Sequence, residues 1–164
     1  MATAAKKAPP AQPRRSAKMP DAVALLRADH QRVSALFAEY EGTRSAAKKK
    51  KIVSQICTEL TVHAQVEEEI FYPAVKQALK DKLLVPEATV EHATLKALIA
   101  QVEGQTPDGE MFDAKIKVLS EYVKHHVKEE QGEMFPKAKT SRLDLAALGQ
   151  QITERKAALL AARA

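Results

Sequence analysis

The sequence predicts an all-α protein: an antiparallel up-down-up-down four-helix bundle with an additional C-terminal helix. Two observations predict it. From Pro20 onward apolar residues recur at steps of three and four, and nowhere do they alternate over the length of a strand. Breakers at Gly42, Pro86, Gly104 and the turn TPDGE (Thr106 to Glu110) divide the chain into long segments joined by short loops, so that neighbours in sequence pack antiparallel.

The first helix is expected from about Asp21 to Glu41, with the inner stripe Val23, Leu26, His30, Val33 and Phe37. The second opens after Ser45, a suitable N-cap, and carries Ile52, Ile56, Leu60, His63, Glu67 and Ile70 toward Leu79, with a bend expected at Pro73. The third starts near Pro86, which a first turn tolerates, and runs to Glu103 with Ala88, His92, Leu95, Ile99 and Val102 facing inward. The fourth follows TPDGE and extends to about Pro136 through Ile116, Leu119, Val123, His126, Glu130 and Met134. A fifth, from Ser141 to Ala162, repeats Leu145, Leu148, Ile152 and Leu159.

Three regions are expected: a disordered basic Ala/Pro/Lys tail over 1–20, the bundle over 21–140, and a C-terminal helix over 141–164 packing on the bundle or on a partner. The apolar stripe of that last helix fits either a monomer or a homodimer. A chain of 164 residues can bury a sizeable core without staples. Its single cysteine, Cys57, excludes an internal disulfide, and no stretch has the apolar run of a signal peptide or membrane helix, so a reduced, cytoplasmic setting is expected. The net charge of +5 lies entirely in the tail, on Lys6, Lys7, Arg14, Arg15 and Lys18. The body is neutral, which disfavours nucleic acid as its partner.

The polar residues on the inner stripes carry the chemistry. His30, His63, Glu67, His92, His126 and Glu130 interrupt rows that are otherwise apolar. A lone buried histidine is satisfied by one or two hydrogen bonds. A buried carboxylate is costly unless paired or bound to a metal, and no Lys or Arg on these stripes stands where it would pair with Glu67 or Glu130. His63 with Glu67, and His126 with Glu130, are four apart and each aim two donors at one point. The phrase HAQVEEEIFYP (63–73) returns as HVKEEQGEMFP (126–136), and each copy follows a helix with one inward histidine. Four imidazoles and two carboxylates form a cage for two first-row transition metals, each carboxylate able to bridge them, and a donor set without thiolate suits iron, manganese or zinc.

These residues resemble the hemerythrin-like (HHE cation-binding) family, whose pattern is a histidine, H-x-x-x-E, a histidine and H-x-x-x-E/D on four antiparallel helices; the match covers roughly Asp21 to Lys137. The resemblance implies two non-haem iron ions with a bridging oxo or hydroxo group. It places His30 and His63 on one iron, His92 and His126 on the other, and Glu67 and Glu130 as bridges. One departure stands out. Oxygen-carrying members supply two histidines four apart on the third helix, whereas Ala88 and Lys96 flank His92 here. Water, hydroxide, Glu68, Glu59 or Glu129 are the candidates for the position.

The function expected is a di-iron protein that binds dioxygen or a similar small oxidant, in oxygen or iron handling or sensing. The alternatives are a peroxide-consuming, catalase-like enzyme, motivated by the missing histidine, and a helical interaction module whose basic tail binds polyanions. Of the remaining residues, His125 is expected at the surface, Tyr122 in the core, and Glu59 as a carboxylate orienting a ligand histidine. Phe37, Ile70, Phe71, Met134 and Phe135 are expected to wall the site, and Cys57 to be buried filler.

Overall fold

The computed structural model describes residues 18–164, so the expectation for residues 1–17 of the tail lies outside the described residues. These residues form five helical rods, and no strand occurs among them. The first rod is α1 (Ala22–Glu41), and the second is α2 (Ala46–Val66) continued through a π-turn (Glu67–Phe71) into α3 (Tyr72–Ala78). The third is α4 (Leu84–Val102). The fourth is α5 (Glu110–Glu129) continued through a second π-turn (Glu130–Met134) into α6 (Phe135–Lys139), and the last is α7 (Leu145–Arg163).

Local chemistry sets the ends. Asp21 accepts a hydrogen bond from the Ala24 N–H at 2.9 Å, Ser45 from Lys48 at 3.4 Å and Asp144 from Ala147 at 3.0 Å, each meeting an amide that a helix start leaves unpaired. Gly104, at φ 72°, turns the chain out of α4 in a conformation that glycine adopts without cost.

The first four rods pack as an antiparallel bundle, and α7 lies across α1, α2 and the first π-turn. Its contact with α1 is close at Gly149, where a Cβ would stand 2.7 Å from the Pro20 carbonyl oxygen. Two apolar clusters fill the bundle. One gathers Val23, Leu26, Val66, Phe71, Val75, Phe135 and Ile152 at one end, and the other gathers Val33, Phe37, Ile56, Leu60, Ile99, Ile116 and Leu119 at the opposite end. Between them every rod of the bundle contributes a buried polar residue: Asp29, His30, His63, Glu67, His92, His126 and Glu130. Burial of the two apolar clusters, at about 25 cal/mol per Å² of apolar surface, holds this polar layer in place.

Candidate metal centre

The chain turns twice at the layer in an unusual way. The bend expected at Pro73 is replaced by a π-turn just upstream of it, and the same happens before Pro136. Tyr72 donates its N–H to the Glu67 carbonyl and Phe135 to the Glu130 carbonyl, each five residues back. A proline has no N–H and its ring crowds the carbonyl four residues earlier, and the wider turn relieves both conflicts without breaking the rod. It also alters which side chains align. In an α-helix residues five apart differ by about 140° in direction, whereas across a π-turn they stack on one face. Glu67 and Tyr72 therefore both face the layer, as do Glu130 and Phe135.

All six residues expected from the sequence meet there. The Nε2 atoms of His30 and His63 are 3.2 Å apart. Glu67 Oε1 lies 2.7 Å from His63 Nε2 and Glu130 Oε1 lies 3.1 Å from His30 Nε2. On the other side the Nε2 atoms of His92 and His126 are also 3.2 Å apart, with Glu67 Oε2 3.0 Å from His92 and Glu130 Oε2 3.4 Å from His126. Each carboxylate thus turns one oxygen to each histidine pair.

The sequence reading did not include Tyr72. Its hydroxyl lies 2.8 Å from Glu67 Oε2 and 2.7 Å from Glu130 Oε2, and 3.2 and 3.3 Å from Nε2 of His92 and His126. The signal was present in the repeated phrase, which aligns Tyr72-Pro73 with Phe135-Pro136. The Phe135 ring instead stacks on His30, with centroids 5.8 Å apart and planes 6° apart.

Each imidazole is fixed from behind. His63 donates Nδ1–H to Asp29 at 3.0 Å, His30 to Gln131 Oε1 at 2.9 Å, His92 to Glu68 at 3.0 Å, and His126 to Glu91. The pattern repeats with the two-fold plan. The acid before each lone histidine, Asp29 or Glu91, holds the histidine of the following H-x-x-x-E, and the residue after each glutamate, Glu68 or Gln131, holds the lone histidine. These partners are acceptors, so they keep the protons on Nδ1 and turn bare Nε2 lone pairs inward.

Four Nε2 lone pairs and two carboxylates facing one another, with only the Tyr72 O–H among them, form an electron-rich cage. Glu67 Oε1 and Glu130 Oε1 are buried and accept no hydrogen bond, despite their nearness to His63 and His30. Two nitrogens at about 2.1 Å from a shared ion, near a right angle, are about 3 Å apart, close to the 3.2 Å found in both pairs. The donor set fits metal-ion binding. Without a cation the cage holds protons instead. Burial disfavours a charged His63, but the Glu67 charge and the Asp29 hydrogen bond outweigh it and push the imidazole up to about 10. His126 opposes its burial through Glu130 and Glu67 and is pushed up to about 11. Burial and the charges of Glu67 and Glu130 hold the Tyr72 phenol well above its usual range.

Other expectations sort plainly. Phe71, Met134, Phe135 and Phe37 are buried around the layer and Ile70 is half-buried. His125 is exposed, as expected, and Cys57 is buried. Tyr122 is 46 % exposed rather than in the core, because the inward face of α5 passes through Leu119, Val123 and His126 on either side of it. Glu59 pairs with Arg32 at 2.9 Å and orients no imidazole. Glu68 sits on His92 Nδ1, not beside Nε2, and Lys96 neutralises it at 2.7 Å.

Comparison with known proteins agrees with this geometry. The fold is that of a hemerythrin HHE cation binding domain-containing protein, the Rv2633c homolog from Mycobacterium kansasii, at TM-score 0.75 over 86 % of this chain and 88 % of that one, with 18 % sequence identity. A DNA nickase from Nostoc sp. strain PCC 7120 is 30 % identical over 111 residues, which are 68 % of this chain but only 31 % of that protein. Residues 21–138 match the model of the hemerythrin HHE cation-binding domain, and the chain belongs to that family.

Proposed function

We propose that the protein is a non-haem di-iron protein that binds dioxygen or a related small oxidant, in oxygen or iron handling or sensing. The observation that carries this reading is the cage itself, in which each of two buried carboxylates divides its oxygens between two histidine pairs whose lone pairs face inward. His30 and His63 would hold one ion, His92 and His126 the other, and Glu67 and Glu130 would bridge them. Iron there supplies the redox and Lewis-acid chemistry that an oxidant needs. The chain's own residues do the rest. Asp29, Glu68, Glu91 and Gln131 fix the imidazoles, and Phe71, Phe135 and Met134 exclude water.

The Tyr72 hydroxyl, 3.2 Å from His92 Nε2, would offer an oxygen donor on the side of the cage where oxygen carriers have a further third-helix histidine. It can donate a proton to either bridging carboxylate or, deprotonated, serve as an oxygen donor at the second position. The case for catalase-like turnover rested on an unfilled position there, and a phenol on that side weakens it. The nickase resemblance touches less than a third of that protein's length, and the body of this chain has as many acids as bases, so nicking is not carried over.

Aerobically purified protein is expected to hold close to two irons per chain, with near-ultraviolet and visible absorption that azide alters. Iron-free protein from iron-replete cells overturns the reading.

A further inference from the structure

The two flanks of the cage are not alike. On one, α7 packs on α2 and the first π-turn, Val62 and Val66 are both buried, and Lys156 contacts Asp29. In the two-fold plan the counterparts of Val62 and Val66 are His125 and Glu129, and no helix among the described residues covers them. Between α4 and the α5–α6 rod lies a cavity of about 50 Å³, with Glu87, Glu91, Glu129 and Glu133 on its walls and the buried His126 and Glu130 behind them. A water needs about 10–15 Å³ of such space, so this one admits a small solvated path.

At its mouth His125 Nε2 lies 3.3 Å from Glu91 Oε1 and 3.3 Å from Glu129 Oε1, the spacing of three donors around one cation. Glu91 joins the levels, because its other oxygen accepts from His126 Nδ1. At its inner end the cavity reaches His126 and the 2 % exposed Glu130, whose Oε2 lies 3.4 Å from His126 Nε2, so it ends on two residues of the cage. Carboxylates lining a cleft concentrate cations within it.

We propose that Glu91, His125 and Glu129 form a loading site that takes a divalent first-row metal ion from solvent and passes it along this cavity to the buried cage. The inference rests on the cage being a metal centre. It explains why one repeat carries apolar residues at the two positions where the other carries an imidazole and a carboxylate. Nitrogen and oxygen donors of this kind suit ferrous iron, manganese, cobalt or zinc.

The test is stopped-flow mixing of full-length, metal-stripped protein with Co²⁺, following absorption of the filled cage and then final Co²⁺ per chain. His125→Ala and Glu129→Gln are each expected to slow loading about five-fold, and together about ten-fold or more. The final spectrum and stoichiometry stay those of the wild type. Glu110→Gln, which removes an exposed carboxylate at the far end of the same helix, is expected to load at the wild-type rate. A double variant that fills at the wild-type rate overturns the loading site and leaves the cage standing. Equal slowing in Glu110→Gln also overturns it, since surface charge alone then suffices. Wild-type protein that takes no Co²⁺ into the cage overturns both readings.

Discussion

Glu67 and Tyr72 are five residues apart on one rod, yet the Tyr72 hydroxyl lies 2.8 Å from Glu67 Oε2 because the turn between them is a π-turn. The same hydroxyl lies 2.7 Å from Glu130 Oε2, so one phenol serves both buried carboxylates. Tyr72→Phe removes that group while keeping a ring the size of Phe135, its counterpart in the repeat. The metal-free variant is expected to lose about 1–3 kcal/mol, the cost of leaving buried carboxylate oxygens without a donor, read as a lower urea midpoint. Affinity for one of the two ions is expected to fall about ten-fold, as for other groups that tune a metal site. Competitive titration against a chelator checks this, and two unchanged binding steps would show that the phenol does not act on the metals.

The helices and the six cage residues were legible because they obey the α-helical period: His63 and Glu67 are four apart, and the phrase recurs. Tyr72 was not, since a rotation of about 100° per residue places it off the face of Glu67. Only the local switch of hydrogen bonding ahead of Pro73 brings it round. Asp29 and Glu91 escaped for another reason. Each precedes a histidine in sequence but holds the imidazole of the next helix, a relation set by packing rather than by spacing. Tyr122 was misplaced by a single step around α5, which shows how narrow the inward stripe is.

The metal-free cage is expected to show opposite pH dependence in stability and in metal binding. His63 and His126 are raised to about 10 and about 11 from 6.5, so their contribution is complete below 6.5 and is lost as pH rises through those values. Burial opposes a charged Glu67, but its imidazole neighbours hold it well below 4.5, so its contribution is present above 4.5 and lost as pH falls through the folded value. Metal-free protein should therefore be most stable between 4.5 and 6.5, and weaker by more than about 1 kcal/mol at pH 9.5. Metal must displace the imidazole protons, so affinity should rise with pH from 6.5 toward 10. Urea midpoints of stripped protein, and calorimetric titrations in buffers of different ionisation enthalpy, measure the two effects. A flat stability profile and binding without proton release would contradict them.

Cys57 is 1 % exposed, and burial, reinforced by the Glu103 charge, pushes its thiol up to about 12. A thiol so buried and so weakly ionised is a poor nucleophile. Native protein is expected to react with a disulfide reagent at least about a hundred-fold more slowly than protein in denaturant. Rapid native labelling would mean that α2 opens often enough to expose its core. Cys57→Ala, by contrast, is expected to leave metal binding unchanged and to cost only the packing of a small side chain, about 1–2 kcal/mol.

Gly149 and Gly132 offer a contrast that tests how α7 is held. A Cβ on Gly149 would meet the Pro20 carbonyl oxygen at 2.7 Å and the Ala22 nitrogen at 2.9 Å, both main-chain atoms that cannot rotate away. Gly149→Ala must therefore lift α7 from the start of α1, loosening Ile152 and the Lys156 contact with Asp29 behind His63. Overpacking of this kind costs about 1–3 kcal/mol, or a Tm lower by about 3–9 °C for a chain of this size. Gly132, in the second π-turn, has nothing within 4 Å of its Cβ position, so Gly132→Ala is expected to be neutral or slightly stabilising. Thermal denaturation of the two variants side by side decides the matter: if Gly149→Ala melts with or above the wild type, α7 does not depend on that close approach.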